Sequence, residues 1–172
     1  MTVYYSSRQR KDEELRGPDF FVVLNTERRE RKSWVVWEED GKYPNVIIEV
    51  LSDSTATVDR NKKKLLDQDV WRTPDYFGFH PYTLEFKGFT LVHGKYVEIP
   101  LNEQSWLWSD DLQLYVGILN ERLRFFTPEG ELVLTPEEEA EAERQQVEVE
   151  RQKNAILRQK LLELGINPDE IG

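Results

Sequence analysis

Glu49 is the only charge inside Pro44-Asn45-Val46-Ile47-Ile48-Glu49-Val50-Leu51-Ser52, a short β-branched run flanked by turn-forming residues. Such a run reads as a buried strand. A carboxylate on a buried strand is costly unless it is paired, bound to a metal or used in chemistry. Upstream, Gly17-Pro18-Asp19-Phe20-Phe21-Val22-Val23-Leu24 repeats the arrangement, with an acid at the mouth of an apolar strand. Downstream, Asp59 precedes Lys62, Lys63 and Lys64 at the start of a predicted helix. Two carboxylates and a lysine on neighbouring elements are a minimal set for holding a divalent cation and orienting a water against a phosphate.

The elements that must position these groups alternate from residue 17 to 80. An apolar strand starts at Asp19, a charged stretch covers Glu27 to Ser33, and a second strand lies around Trp34 to Trp37. A turn at Glu39-Asp40-Gly41-Lys42 leads to the Glu49 strand, a helix from Asp59 to about Asp69 and a strand at Tyr76 to Phe79. Residues 82 to 135 read as all-β: Tyr82-Thr83-Leu84-Glu85-Phe86 alternates, His93-Gly94-Lys95 makes a hairpin turn, and Pro128-Glu129-Gly130 joins Leu123–Phe126 to Glu131–Leu134. Residues 1–16 form a polar lead-in that contributes nothing to a core. The expected organisation is that lead-in, a domain over 17–135, and a charged helix over 136–172.

The order Gly17-Pro18-Asp19, Pro44 to Ser52 with Ser54-Thr55, Asp59 and Lys63, Pro74-Asp75-Tyr76-Phe77, then His80-Pro81 resembles the Uma-two family of endonucleases, within the PD-(D/E)XK restriction-endonuclease-like superfamily. The similarity runs from about Asp19 to Pro136. The resemblance implies a restriction-endonuclease-like α/β fold, a mixed central sheet extended by antiparallel hairpins, and a long C-terminal helix. It also implies metal-dependent hydrolysis of DNA phosphodiester bonds, with metal-site acids on Asp19 and Glu49. The lysine that the superfamily carries two residues after the second acid is Leu51 here, and the resemblance moves that role to Lys63 as a third catalytic residue. Asn45 and His80 stand where the family usually has aspartate, and Asp67 where tyrosine is common. The family's additional N-terminal segment is expected to be missing, which would leave a sheet edge for a second subunit to cover.

Each candidate also has a structural reading. Asp19 can cap a turn, as Asx side chains do, Glu49 can pair with an arginine, and Asp59 can be a helix N-cap. The lysines can form a solvated helix face, with Lys62 or Lys64 replacing Lys63 if the helical phase shifts by one. The two histidines are too isolated to suggest a metal site. Trp106 and Trp108, two apart on one strand face, read as core or interface.

The 172 residues suit one domain with an appendage. The absence of cysteine excludes disulfides and thiolate metal sites and fits a cytoplasmic protein. No apolar run approaches the roughly 18 residues of a membrane span. The formal net charge of -10 argues against broad electrostatic capture of nucleic acid. Half of it lies in the tail, because Glu137 to Gly172 holds ten acids and five bases. Thr135-Pro136-Glu137-Glu138 is a helix start. The best heptad phase puts Ala140, Val147, Asn154 and Leu161 at a positions and Leu157 and Leu164 at d, but Glu143 and Glu150 also fall at d. Only the second half therefore has an apolar seam, which fits either a coiled coil with another chain or a solvated helix. Three functions fit: an endonuclease using magnesium or manganese, acting on DNA as a homodimer; a degenerate nuclease-like binding protein working through its helix; and an assembly module unrelated to nucleic acid.

Overall fold

The structure, a computed structural model, describes residues 1–6, 17–52 and 64–165. The chain divides into two compact units, Met1–Leu132 and Val133–Gly172.

The first unit is built on a five-stranded sheet of order β2-β4-β5-β6-β7, comprising β2 (Phe20–Val22), β4 (Val46–Val50), β5 (Asp75–Phe79), β6 (Phe86–Val92) and β7 (Lys95–Glu98). Only β4 and β5 run parallel; the other neighbours are antiparallel. A parallel pair needs a long crossover. Its described part includes the helical segment 64–71, α1, which closes in a π-turn at Asp67–Trp71. The expected helix thus continues past Asp69 to Trp71, while its start, with Asp59, Lys62 and Lys63, lies outside the described residues.

Both faces of the sheet are covered, which is why β4 and β5 read as nearly continuous apolar runs. On one face Ile47 and Tyr76 pack with Val3, Trp34, Val36 and Trp71. On the other, Val46, Ile48 and Phe77 meet Ile99, Leu107 and Val116. Glycine is needed where Phe77 crosses β6, because a Cβ on Gly88 would stand 2.7 Å from the Phe77 ring.

Four expectations change. The lead-in does contribute to the core: Val3 is fully buried, and β1 (Val3–Tyr4) pairs in parallel with β3 (Trp34–Val35). The second apolar segment is shorter than expected, since after β3 the chain winds into a 3-10 turn at Val36–Glu38. Residues 82–85 are not strand. The His80 Nδ1 accepts the Thr83 N–H at 3.2 Å, the His80 carbonyl accepts the Leu84 N–H at 2.8 Å, and Leu84 takes a left-handed φ of 59°, so the chain turns before β6 despite its alternating pattern.

The fourth change concerns the last hairpins, which form a separate sheet of order β10-β9-β8: β8 (Leu107–Ser109), β9 (Leu114–Leu119) and β10 (Arg122–Phe126). β10 pairs chiefly with β9 through a turn at Asn120-Glu121, and Leu132 adds a single bridge to Phe126. The β6–β7 hairpin does extend the main sheet, turning at His93-Gly94 with φ of 49° and 79°. Trp106 and Trp108 both pack against Tyr115, and Trp106 also stacks on Phe126.

The second unit is helix α2, Pro136–Glu163. It starts with a complete capping box, in which Thr135 Oγ1 accepts the Glu138 N–H and Glu138 Oε2 accepts the Thr135 N–H. None of its side chains is buried.

Candidate functional site at one end of the sheet

Ligand sites in open α/β sheets lie outside the carboxyl ends of the parallel strands. Glu49 occupies that end of β4, and His80 directly follows that end of β5. The antiparallel neighbours contribute their beginnings there: Asp19 just before β2, and Lys87 in the first turn of pleat of β6.

The register is explicit. Phe20 pairs with Ile48, so the next step out brings Asp19 beside Glu49. Asp19 Oδ2 accepts the Val50 N–H at 2.8 Å, so the carboxylate is fixed by the strand next to it rather than by its own turn. Asp19 is exposed. It lines a cleft of about 440 Å³ with Phe21, Val23, Arg28 and Trp34. Glu49 is 7% exposed and shares its sheet face with Ile47. Across the parallel pair Glu49 faces Gly78, and Gly78 in turn faces Lys87.

Of the lysine cluster, Lys64 is described. Its ammonium lies over the Phe89 ring, 2.9 Å from the centroid, and 5.8 Å from the Tyr96 centroid. Burial pushes its pKa down, against the attraction of Glu98 and together with the repulsion of Lys87. Lys63 lies outside the described residues.

Among the described residues, no group of three or more acidic or histidine side chains is placed to share one cation. Asp19 and Glu49 would offer carboxylate oxygens alone, which suits a hard ion such as magnesium that keeps several of its waters.

A second polar cluster, which sequence reasoning missed, lies on the opposite face. Asp75 is 1% exposed and accepts the Ser109 hydroxyl at 2.6 Å. Burial pushes its pKa up, while bonds from Ser109, Thr90 and the Asp111 backbone act the other way. Asn45 Nδ2 donates to Asp111 Oδ2 at 2.8 Å, and Asn45 Oδ1 accepts the Leu24 N–H at 2.9 Å. The cluster ties the start of β4 to the β8–β9 connection, and only contacts distant in sequence reveal it. An amide suits position 45 because it can donate to Asp111 where a carboxylate cannot. Asn45→Asp is therefore expected to cost about 1–3 kcal/mol at neutral pH, from two facing carboxylates. The facing pair would hold a proton more tightly folded than unfolded, so the loss should be present at neutral pH and recovered on acidification. Urea unfolding of both proteins at neutral pH and near pH 4 checks this.

The fold is that of an α/β protein with two acidic residues, Asp19 and Glu49, side by side in register at the mouth of its parallel strands. Residues 1–118 match the model of the Uma2 family, described as "Putative restriction endonuclease", and the chain belongs to that family. No curated protein matches the chain. Among the described residues, no helix is long and apolar enough to cross a membrane.

Proposed function

We propose that the protein is a metal-dependent DNA endonuclease whose site is the Asp19–Glu49 end of the sheet. The observation that supports this reading is that Asp19, exposed, and Glu49, nearly buried, stand next to each other in register at the ends of neighbouring strands, in a member of a restriction-endonuclease-like family. Asp19 and Glu49 would hold magnesium or manganese, which when bound would supply a water of lowered pKa and neutralise charge developing on a phosphate oxygen. Asp19 is oriented for this by the Val50 N–H. Glu49 is held by β4, an interior strand of the sheet, whose burial on both faces restricts its movement. Lys63 adds a positive charge that orients the water or stabilises the pentacovalent phosphorus.

The working form is a cytoplasmic homodimer. The second half of α2, with exposed Leu157, and Leu164 just past its end supply a coiled-coil seam for it. Plasmid cleavage tests the function: the wild type with magnesium or manganese should nick or linearise supercoiled DNA, and Asp19→Asn should lower the rate by about 100-fold or more. No cleavage by the wild type with either ion would contradict the reading.

A further inference from the structure

A cation two strands away from Glu49 is not accounted for by the two acids or by the lysine cluster. Lys87 lies on the row that runs from Asp19 through Glu49 and Gly78. The face is fixed by its neighbours: Phe86 stacks on Phe77 on one side of the sheet, and Phe89 meets Tyr76 on the other, so Lys87 shares the Glu49 face. Two strand spacings, roughly 10 Å, separate the Glu49 and Lys87 backbones, a gap that the two long side chains can close on a ligand between them. Gly78 places no side chain in that gap. The Leu51 side chain leans over it instead, with Cδ1 3.3 Å from where a Gly78 Cβ would stand.

Lys87 is exposed, and its only ion pair among the described residues is a 3.4 Å contact with Glu85. Exposed pairs of this kind are weak, so the ammonium can exchange that partner for a stronger one. Lys64, in contrast, is engaged with two aromatic rings. The row thus has an anionic half, Asp19 and Glu49, and a cationic end at Lys87, with an apolar floor of Gly78 and Leu51 between them. A phosphodiester fits this polarity.

Resting on the endonuclease reading, we propose that Lys87 is a catalytic residue that touches the scissile phosphate from the side opposite the two carboxylates. The Lys87 ammonium donates hydrogen bonds to a non-bridging oxygen. A bond forms from water oxygen to phosphorus and the phosphorus–oxygen bond to the leaving nucleoside breaks. The water's proton goes to solvent, and the departing alkoxide takes one back.

Cleavage and binding are measured separately. Lys87→Ala should lower the saturated cleavage rate by about 100-fold, Lys87→Arg should stay within about tenfold of the wild type, and Leu51→Lys in the Lys87→Ala background should recover at least about tenfold by reaching the same gap from β4. Calorimetric manganese affinity should be unchanged in all three. With calcium replacing the active ion, anisotropy of a labelled DNA duplex should show Lys87→Ala binding more weakly, with the slope of log affinity against log salt reduced by about 0.9. If the wild type cleaves nothing but the slope falls, the phosphate contact stands and the hydrolytic reading fails. If the slope is unchanged, or Lys87→Ala cleaves within threefold of the wild type, the assignment of Lys87 is overturned.

Discussion

Glu49→Gln is expected to weaken manganese binding by at least about 100-fold and to abolish cleavage, while leaving the far-ultraviolet circular dichroism of the protein unchanged. Removing an outer partner of a metal ligand typically costs 10–100-fold in affinity, which sets a floor for removing a ligand itself. Glutamine keeps the volume of glutamate but loses its charge and exchanges one acceptor oxygen for an NH2 donor, so packing against the β5 neighbour Gly78 is retained. A carboxylate in this nearly buried position costs desolvation free energy that an amide does not. Loss of binding together with loss of secondary structure would instead mean that Glu49 is a structural residue. Isothermal titration and circular dichroism on the same samples separate the two outcomes.

Gly117→Ala is expected to be the most damaging small substitution in the β8–β10 sheet. A Cβ there would lie 2.2 Å from Trp106 Cδ1 and 2.7 Å from its Nε1, closer than a real contact permits. The indole cannot simply move aside. It is stacked on Phe126 with centroids 3.9 Å apart and an interplanar angle of 8°, and it meets Tyr115 at 5.9 Å. The backbone is equally constrained, because Gly117 pairs with Arg124 in the middle strand of the sheet, next to fully buried Val116. Overpacking and a broken aromatic stack together are expected to cost about 3 kcal/mol, which in a chain of this size lowers Tm by about 10 °C. Differential scanning calorimetry checks the value. An unchanged Tm would show that the Trp106–Phe126 stack is not held in place.

Much of the positioning framework was legible because it follows from local chemistry. The β-branched run around Glu49, the His93-Gly94 turn and the Thr135-Pro136 helix start each carry their own signal, and each lies where expected. The missed features depend on contacts distant in sequence or on unusual backbone. Val3 gains its place in the core only by pairing with β3, and no periodicity within residues 1–6 announces that. The hairpin at Asn120-Glu121 needs φ of 50° and 62°, and glutamate is not a residue that signals such a turn. The alternation at residues 82–86 gives way to a turn that the His80 ring and carbonyl hold together. At the site, Asp19 and Glu49 were legible as isolated acids at strand ends, but their adjacency was not, because strand register is a tertiary property. Lys87 was invisible for the same reason: only the row through Gly78 relates it to Glu49.

Calorimetric titration of manganese into the wild type, Asp19→Ala and Glu49→Ala is the most direct test of a metal site at this end of the sheet. The wild type should show a single saturable site, and both variants should lose it while remaining folded. Heats for the variants that match the wild type, or no binding by the wild type, would contradict the assignment of Asp19 and Glu49 as metal ligands.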